Sequence, residues 1–174
     1  MVRRGSILAA AGSLLLTLAW STSALASAEH RTVQMLDACD GPSFNAVIGD
    51  GACSRAGGVT FDKFIGQLGA MGSAPAWRFS PTSMRIAAGS EIDAYNKGGE
   101  FHTFTEVANF GGGCVPELNA VLGLTPVPEC ANPALFGTTG TAPGGEVETG
   151  SLPAGTHKFQ CLIHPWMRTT VDAG

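Results

Sequence analysis

The chain has 174 residues, 44% of them hydrophobic and only 14% charged, which is too apolar for a disordered chain and sparsely charged beside an ordinary globular domain. Its formal charge is −4, and removing Arg3 and Arg4 leaves 8 basic against 14 acidic side chains, or −6, so the basic stripe of a nucleic-acid binder is absent. Gly 24 and Pro 10 together make roughly a fifth of the residues, which predicts many turns and few long helices.

Residues 1–26 read as a secretory signal peptide. Arg3 and Arg4 give the positive start, Ile7 to Trp20 the apolar run, and Ala24-Leu25-Ala26 a small-x-small cleavage site. A membrane anchor is the competing reading, but a span needs about 20 apolar residues and this run is shorter. The Arg pair leaves both the general secretory and the twin-arginine routes open. The expected location is therefore periplasmic or secreted, with no membrane attachment after cleavage.

Export places the cysteines in an oxidising compartment, where thiols pair. There are five, so one is left over. Cys39 and Cys53 flank a Gly/Asp-rich loop, and Cys114 and Cys130 flank a loop with Pro116, Pro126 and Pro128. Four cysteines allow three connectivities, and proximity in sequence favours Cys39–Cys53 with Cys114–Cys130. Cys161 is then the free one.

Residues 27–76 read as an N-terminal extension. Phe61, Phe64, Ile65 and Leu68 follow helical spacing, with Thr60 as cap and Gly66 and Gly69 limiting the length. His30 falls in a segment with no strand assigned. From Trp77 the period changes. Trp77-Arg78-Phe79, Met84 to Ala87, Glu91 to Tyr95 and His102 to Val107 read as strands divided by turns. Gly111 to Pro153 reads as one long Gly/Pro-rich connection, a length that normally carries a function or a constraint. Thr156 to Cys161 and Met167 to Asp172 return to strand character. The expected class is all-β, an antiparallel sandwich or barrel over residues 77–174.

The densest motif is Cys161-Leu162-Ile163-His164-Pro165-Trp166-Met167. A thiolate, an imidazole and a thioether at i, i+3 and i+6 can converge on one ion. Soft sulfur with imidazole nitrogen suits copper, and a His₂Cys plane with a weak axial Met marks a blue-copper centre. The second imidazole comes from His30, His102 or His157. His157 is on the same strand as Cys161 but about 13 Å along it, and His30 lies far upstream. His102 opens a strand after a turn, so it remains by elimination, giving His102, Cys161, His164 and Met167.

Other chemistries fit less well. A Met ligand serves neither structural nor catalytic zinc. No C-x-x-C-H haem attachment and no H-x-H pair occurs. Cys161 as a nucleophile activated by His157 or His164 leaves Met167 without a role.

These residues resemble the cupredoxin family, the plastocyanin and azurin group of small blue-copper proteins, and the ligand loop is most like that of the amicyanins. The resemblance covers roughly residues 77–174. It implies a Greek-key β-sandwich of seven or eight strands and one copper cycling between Cu(I) and Cu(II). It also implies outer-sphere electron transfer rather than enzyme catalysis, between redox protein partners, by a monomer. Under this reading His164, in a loop at the sandwich end, exposes an outer ring edge as the electron port, with Pro165 and Trp166 in its apolar collar. The Thr103 N–H and hydroxyl are candidates to reach the Cys161 sulfur, with Phe104, Phe159 and Trp166 keeping water out. The alternatives are a copper carrier or storage protein that does not shuttle electrons and, less favoured, a small redox enzyme. Residues 27–76 and the 58 residues between His102 and Cys161 depart from the family pattern.

Overall fold

A computed structural model describes Met1 and residues 29–174. The signal-peptide reading falls outside the described residues, Met1 aside. No helix among the described residues is long and apolar enough to cross a membrane.

The chain begins with β1 (His30–Leu36), followed by α1 (Gly41–Ile48) and α2 (Phe61–Met71). Next come β2 (Arg78–Ser80), β3 (Ser83–Ile86), β4 (Glu91–Asn96), β5 (His102–Thr103) and β6 (Thr105–Glu106). The long connection holds α3 (Pro116–Leu122), a 3-10 turn at Pro128–Ala131, and the short α4 (Leu135–Thr138). Then β7 (Gly140–Thr141), β8 (Glu146–Glu148), β9 (Gly155–Gln160) and β10 (Arg168–Ala173) complete it.

Two four-stranded sheets form, in the orders β2-β1-β4-β8 and β3-β10-β9-β6, with β5 and β7 paired separately. Val33, Met35, Phe79, Ile92 and Ala94 from the first sheet share one core with Ile86, Phe159, Val171 and Ala173 from the second. The result is a β-sandwich. The Phe104 and Phe159 rings stack at 4.4 Å between centroids, and Phe79 meets Phe104 edge-on at 5.2 Å. Burying each such ring stabilises the fold by about 1.5–3 kcal/mol.

Three expectations are corrected here. The sheets are not wholly antiparallel, because β1 runs parallel to β4 and β3 parallel to β10. The extension does not precede the sandwich as a separate piece, because β1 lies between β2 and β4. Its alternation is visible only at Val33 and Met35, the two fully buried positions in a strand otherwise exposed or half-buried. The strand expected over 102–107 is broken at Phe104. His102 and Thr103 pair with β7, whereas Thr105 and Glu106 pair with β9. Phe104 sits at the change of partner, and its N–H donates to the Thr139 carbonyl at 2.7 Å.

The helices are local products of capping and apolar spacing. Asp40 caps α1, its Oδ2 accepting the Ser43 N–H at 3.1 Å, with Pro42 in the first turn. The Ser43 hydroxyl in turn accepts the Phe61 N–H at 3.1 Å, which joins the start of α2 to α1. Phe64 and Leu68 are the buried face of α2. Phe64 lies 4.7 Å from the Trp77 ring and 5.4 Å from Phe44. The disulfides are Cys39–Cys53 and Cys114–Cys130, and Cys161 is free and buried. Each closes a loop of about 15 residues, for about 3 kcal/mol in the chain-entropy account.

Candidate metal centre

Cys161 follows directly on β9, and the turn after it closes on itself. The Cys161 N–H donates to the Met167 carbonyl at 3.1 Å, and the Met167 N–H donates to the His164 carbonyl at 2.9 Å. Cys161, His164, Pro165 and Met167 are buried, and Trp166 is half-buried. His102 reaches the same place from β5.

The three side chains converge. Cys161 Sγ lies 3.9 Å from His102 Nδ1 and 3.8 Å from His164 Nδ1, and the three donor atoms fall within 4.8 Å of one another. The Thr103 N–H donates to the sulfur at 3.5 Å. The Thr103 hydroxyl instead accepts the Leu162 N–H at 2.8 Å and so ties β5 to the cysteine turn. Burial pushes the Cys161 thiol up, but the two imidazoles outweigh burial and hold it well below its ordinary value. A buried thiol between two imidazole nitrogens is a donor set that could hold a single soft or borderline metal ion.

A carboxyl group lies behind each ring, hydrogen-bonded to His102 and close to His164. His102 Nε2 meets Asp37 Oδ2 at 2.8 Å, with both side chains fully enclosed. Asp37 also accepts the N–H groups of Cys39, Gly99 and Glu100 at 2.8–3.1 Å. Burial pushes its carboxyl up, yet these partners, His102 foremost, hold it below the usual carboxylate range. Burial pulls His102 down, and Asp37 and Cys161 together outweigh it and raise the imidazole to about 9. The close approach requires glycine: a Cβ on Gly98 would collide with the Asp37 carboxylate.

His164 Nε2 faces Glu100 Oε2 at 3.7 Å, and the Trp77 indole N–H donates to that same oxygen. Burial raises the Glu100 carboxyl, and His164 and Trp77 only partly oppose it. Phe64, Trp77 and Trp166 surround the His164 ring at 6.3, 6.5 and 5.4 Å between centroids.

The structure thus brings His102, Cys161 and His164 together and places buried Met167 on the same turn. It leaves His157 on Glu106 and His30 on Asp93, away from the cluster. One expectation is corrected: His164 is only 3% exposed, so its outer ring edge does not reach open solvent. Trp166 and Trp77 cover the ring together with Phe64, which α2 of the extension presents to it. Asp37, Glu100 and Trp77 were not anticipated from sequence. Asp37, Cys39 and Glu100 also cluster, but the Cys39 sulfur is committed to its disulfide.

The class defined so far is a β-sandwich with a buried His/Cys/His cluster where β9 ends. No protein-family model matches the chain, and no curated protein matches it. Among solved structures it is similar to a purple cupredoxin from Nitrosopumilus maritimus, with 17% identity over 58% of this chain and 86% of that one and a TM-score of 0.37. It is also similar to amicyanin from Paracoccus versutus, with 15% identity over 56% of this chain and 73% of that one and a TM-score of 0.36. Such TM-scores mark a partial overlap, and the metal chemistry stands on the donor set alone.

Proposed function

We propose that the chain is a type 1 copper protein of the cupredoxin kind, with a Greek-key sandwich, exported and freed of its leader, that passes single electrons between redox proteins. His102, Cys161 and His164 would hold one copper ion, with Met167 as the weak axial ligand. The observation that carries this is the enclosed Nδ1/Sγ/Nδ1 cluster, whose donor softness suits copper better than zinc. Copper, when bound, supplies a reversible one-electron couple.

The chain's own residues do the rest. Asp37 fixes the His102 ring with Nδ1 toward the sulfur, which also raises the basicity of that nitrogen. The Thr103 N–H stabilises negative charge on the sulfur. Phe64, Trp77 and Trp166 keep water from His164. Because donors anchored in β5 and after β9 are fixed by paired strands, a change of oxidation state moves them little. The proposed port remains at His164, Pro165 and Trp166, with Trp166 as its only half-exposed member. Enclosure favours electron transfer over copper carriage, since a carrier must release its ion.

Titration of the purified metal-free protein with Cu(II) tests the proposal. One equivalent should produce an intense visible thiolate-to-copper band that reduction bleaches and reoxidation restores. A colourless complex would overturn it, and a band that reduction bleaches only with loss of copper would favour the carrier.

A further inference from the structure

The long connection and the extension meet beside the cluster and enclose a groove of about 620 Å³. Three helices wall it: Phe44 and Val47 come from α1, Phe61 and Phe64 from α2, Leu118 and Val121 from α3. Phe101 and Ile163 add to the apolar lining, and Glu100 and His164 face the interior. Val47, Ile48 and Val121 are 61%, 57% and 46% exposed, so apolar side chains stand open to water around the mouth. The extension and the long connection both help to hold His102, and the groove gives their apolar helices a common purpose.

We propose that this groove binds a small planar aromatic molecule bearing an O–H or N–H donor, which it hands to the Glu100 carboxyl beside His164. The volume lies within the range of small-molecule sites, about 300–1,000 Å³. Four phenylalanine rings line it, a surface that suits a flat π system. Its charged lining groups are both acidic: Glu100, which is 6% exposed, and Glu117 at the rim. No Lys or Arg lines it, so an anion has no partner there. Glu100 Oε2 already accepts the Trp77 indole N–H, which leaves Oε1 as the oxygen to meet a ligand in the groove. A carboxyl acceptor lining an apolar groove selects a ligand that brings a donor. A protein partner's side chain is the rival occupant, but three helix walls and a polar floor fit an enclosed small molecule better than a flat encounter face. The inference does not depend on copper, since the groove is formed by the protein alone.

The test is binding to the full, metal-free protein, followed by calorimetry and by the fluorescence of Trp77 and Trp166. The probes are 2-naphthol, naphthalene and 2-naphthoate. One equivalent of 2-naphthol should bind saturably, with naphthalene at least about tenfold weaker for want of a donor and 2-naphthoate weaker still. Val121→Arg, at an exposed position that leaves the fold intact, should weaken 2-naphthol by about tenfold or more. Leu118→Trp, which fills the groove from the opposite chemistry, should do the same. Absence of saturable 2-naphthol binding to the folded protein would overturn the inference. So would equal affinity for naphthalene, or binding that neither variant disturbs. Because copper plays no part in these measurements, their failure leaves the blue-copper reading untouched, and a colourless copper complex leaves the groove untouched.

Discussion

His102 and His157 are two histidines in strands, each held by a carboxylate at almost the same distance. His102 Nε2 is 2.8 Å from Asp37, and His157 Nδ1 is 2.7 Å from Glu106. What separates them is the second nitrogen. In His102 it faces the Cys161 sulfur, whereas in His157 it faces the Pro153 carbonyl at 2.9 Å. The Pro153 carbonyl can only accept, so it keeps a proton on His157 Nε2, whereas the sulfur facing His102 Nδ1 is a donor that can share a metal ion with it. A histidine–carboxylate pair is therefore not by itself a metal ligand and its support. The environments differ as well, since Asp37 is fully enclosed and the Glu106 side chain is 52% exposed.

The largest effect should come from removing the sulfur. Cys161→Ser should abolish the visible copper band entirely, while His157→Ala should leave its intensity and stoichiometry unchanged. Cu(II) titration of both variants measures this. A band surviving in Cys161→Ser, or vanishing in His157→Ala, would reverse the roles assigned to the two ends of β9.

Next in size is the buried carboxylate. Asp37→Asn removes the charge that satisfies His102 and that three backbone N–H groups address. Breaking one side of an enclosed ion pair typically costs about 3–5 kcal/mol. Urea unfolding of the metal-free protein should show a loss of that order. A loss below about 1 kcal/mol would mean that Asp37 is no more important than an exposed partner.

The contrast also explains what could be read from the chain. Cys161, His164 and Met167 are legible because they share one turn, where spacing and an unpaired cysteine speak together. The two disulfides are legible because each closes a short loop. Asp37 is not legible, because parallel pairing of β1 with β4 is what carries the end of β1 to Gly98, Gly99 and Glu100. That pairing in turn is hidden by a strand with only two fully buried positions. Burial of His164 is missed for a related reason: Phe64 announces an apolar helix face but not which ring it covers. The strand at 102–107 has strong β propensity throughout, and propensity says nothing about a change of partner at Phe104.

The pH response of the metal-free protein should distinguish the two histidines again. His102 is raised from 6.5 to about 9 in the folded state, the Asp37 and Cys161 interactions outweighing burial. A folded-state value above the unfolded one stabilises the protein in full below about pH 6.5 and ceases to do so as pH rises through about 9. The lowered Cys161 thiol carries the opposite slope over the same interval, so the pair together should leave the unfolding midpoint nearly level. Cys161→Ser removes that opposing slope, and its midpoint should fall as pH rises. A wild-type midpoint that falls as steeply as that of Cys161→Ser would contradict the His102–Cys161 ion pair.

The smallest expected effect is at Glu106. Burial pulls His157 down, and the Pro153 carbonyl and Glu106 together raise it above its ordinary value. The sign is the same as for His102: the stabilisation is present at low pH and is lost as pH rises through the raised value. Its size is not the same, because half of the Glu106 side chain is in water, where screening and side-chain freedom reduce a pair to about 0.2–1 kcal/mol. Glu106→Gln keeps an oxygen that can accept from Nδ1 and removes only the charge. Its cost at pH 6 should fall below about 1 kcal/mol and should diminish as pH rises through the raised value. A cost near that of Asp37→Asn would show that solvent exposure of the carboxylate, the feature that most separates the two pairs, does not govern their strength.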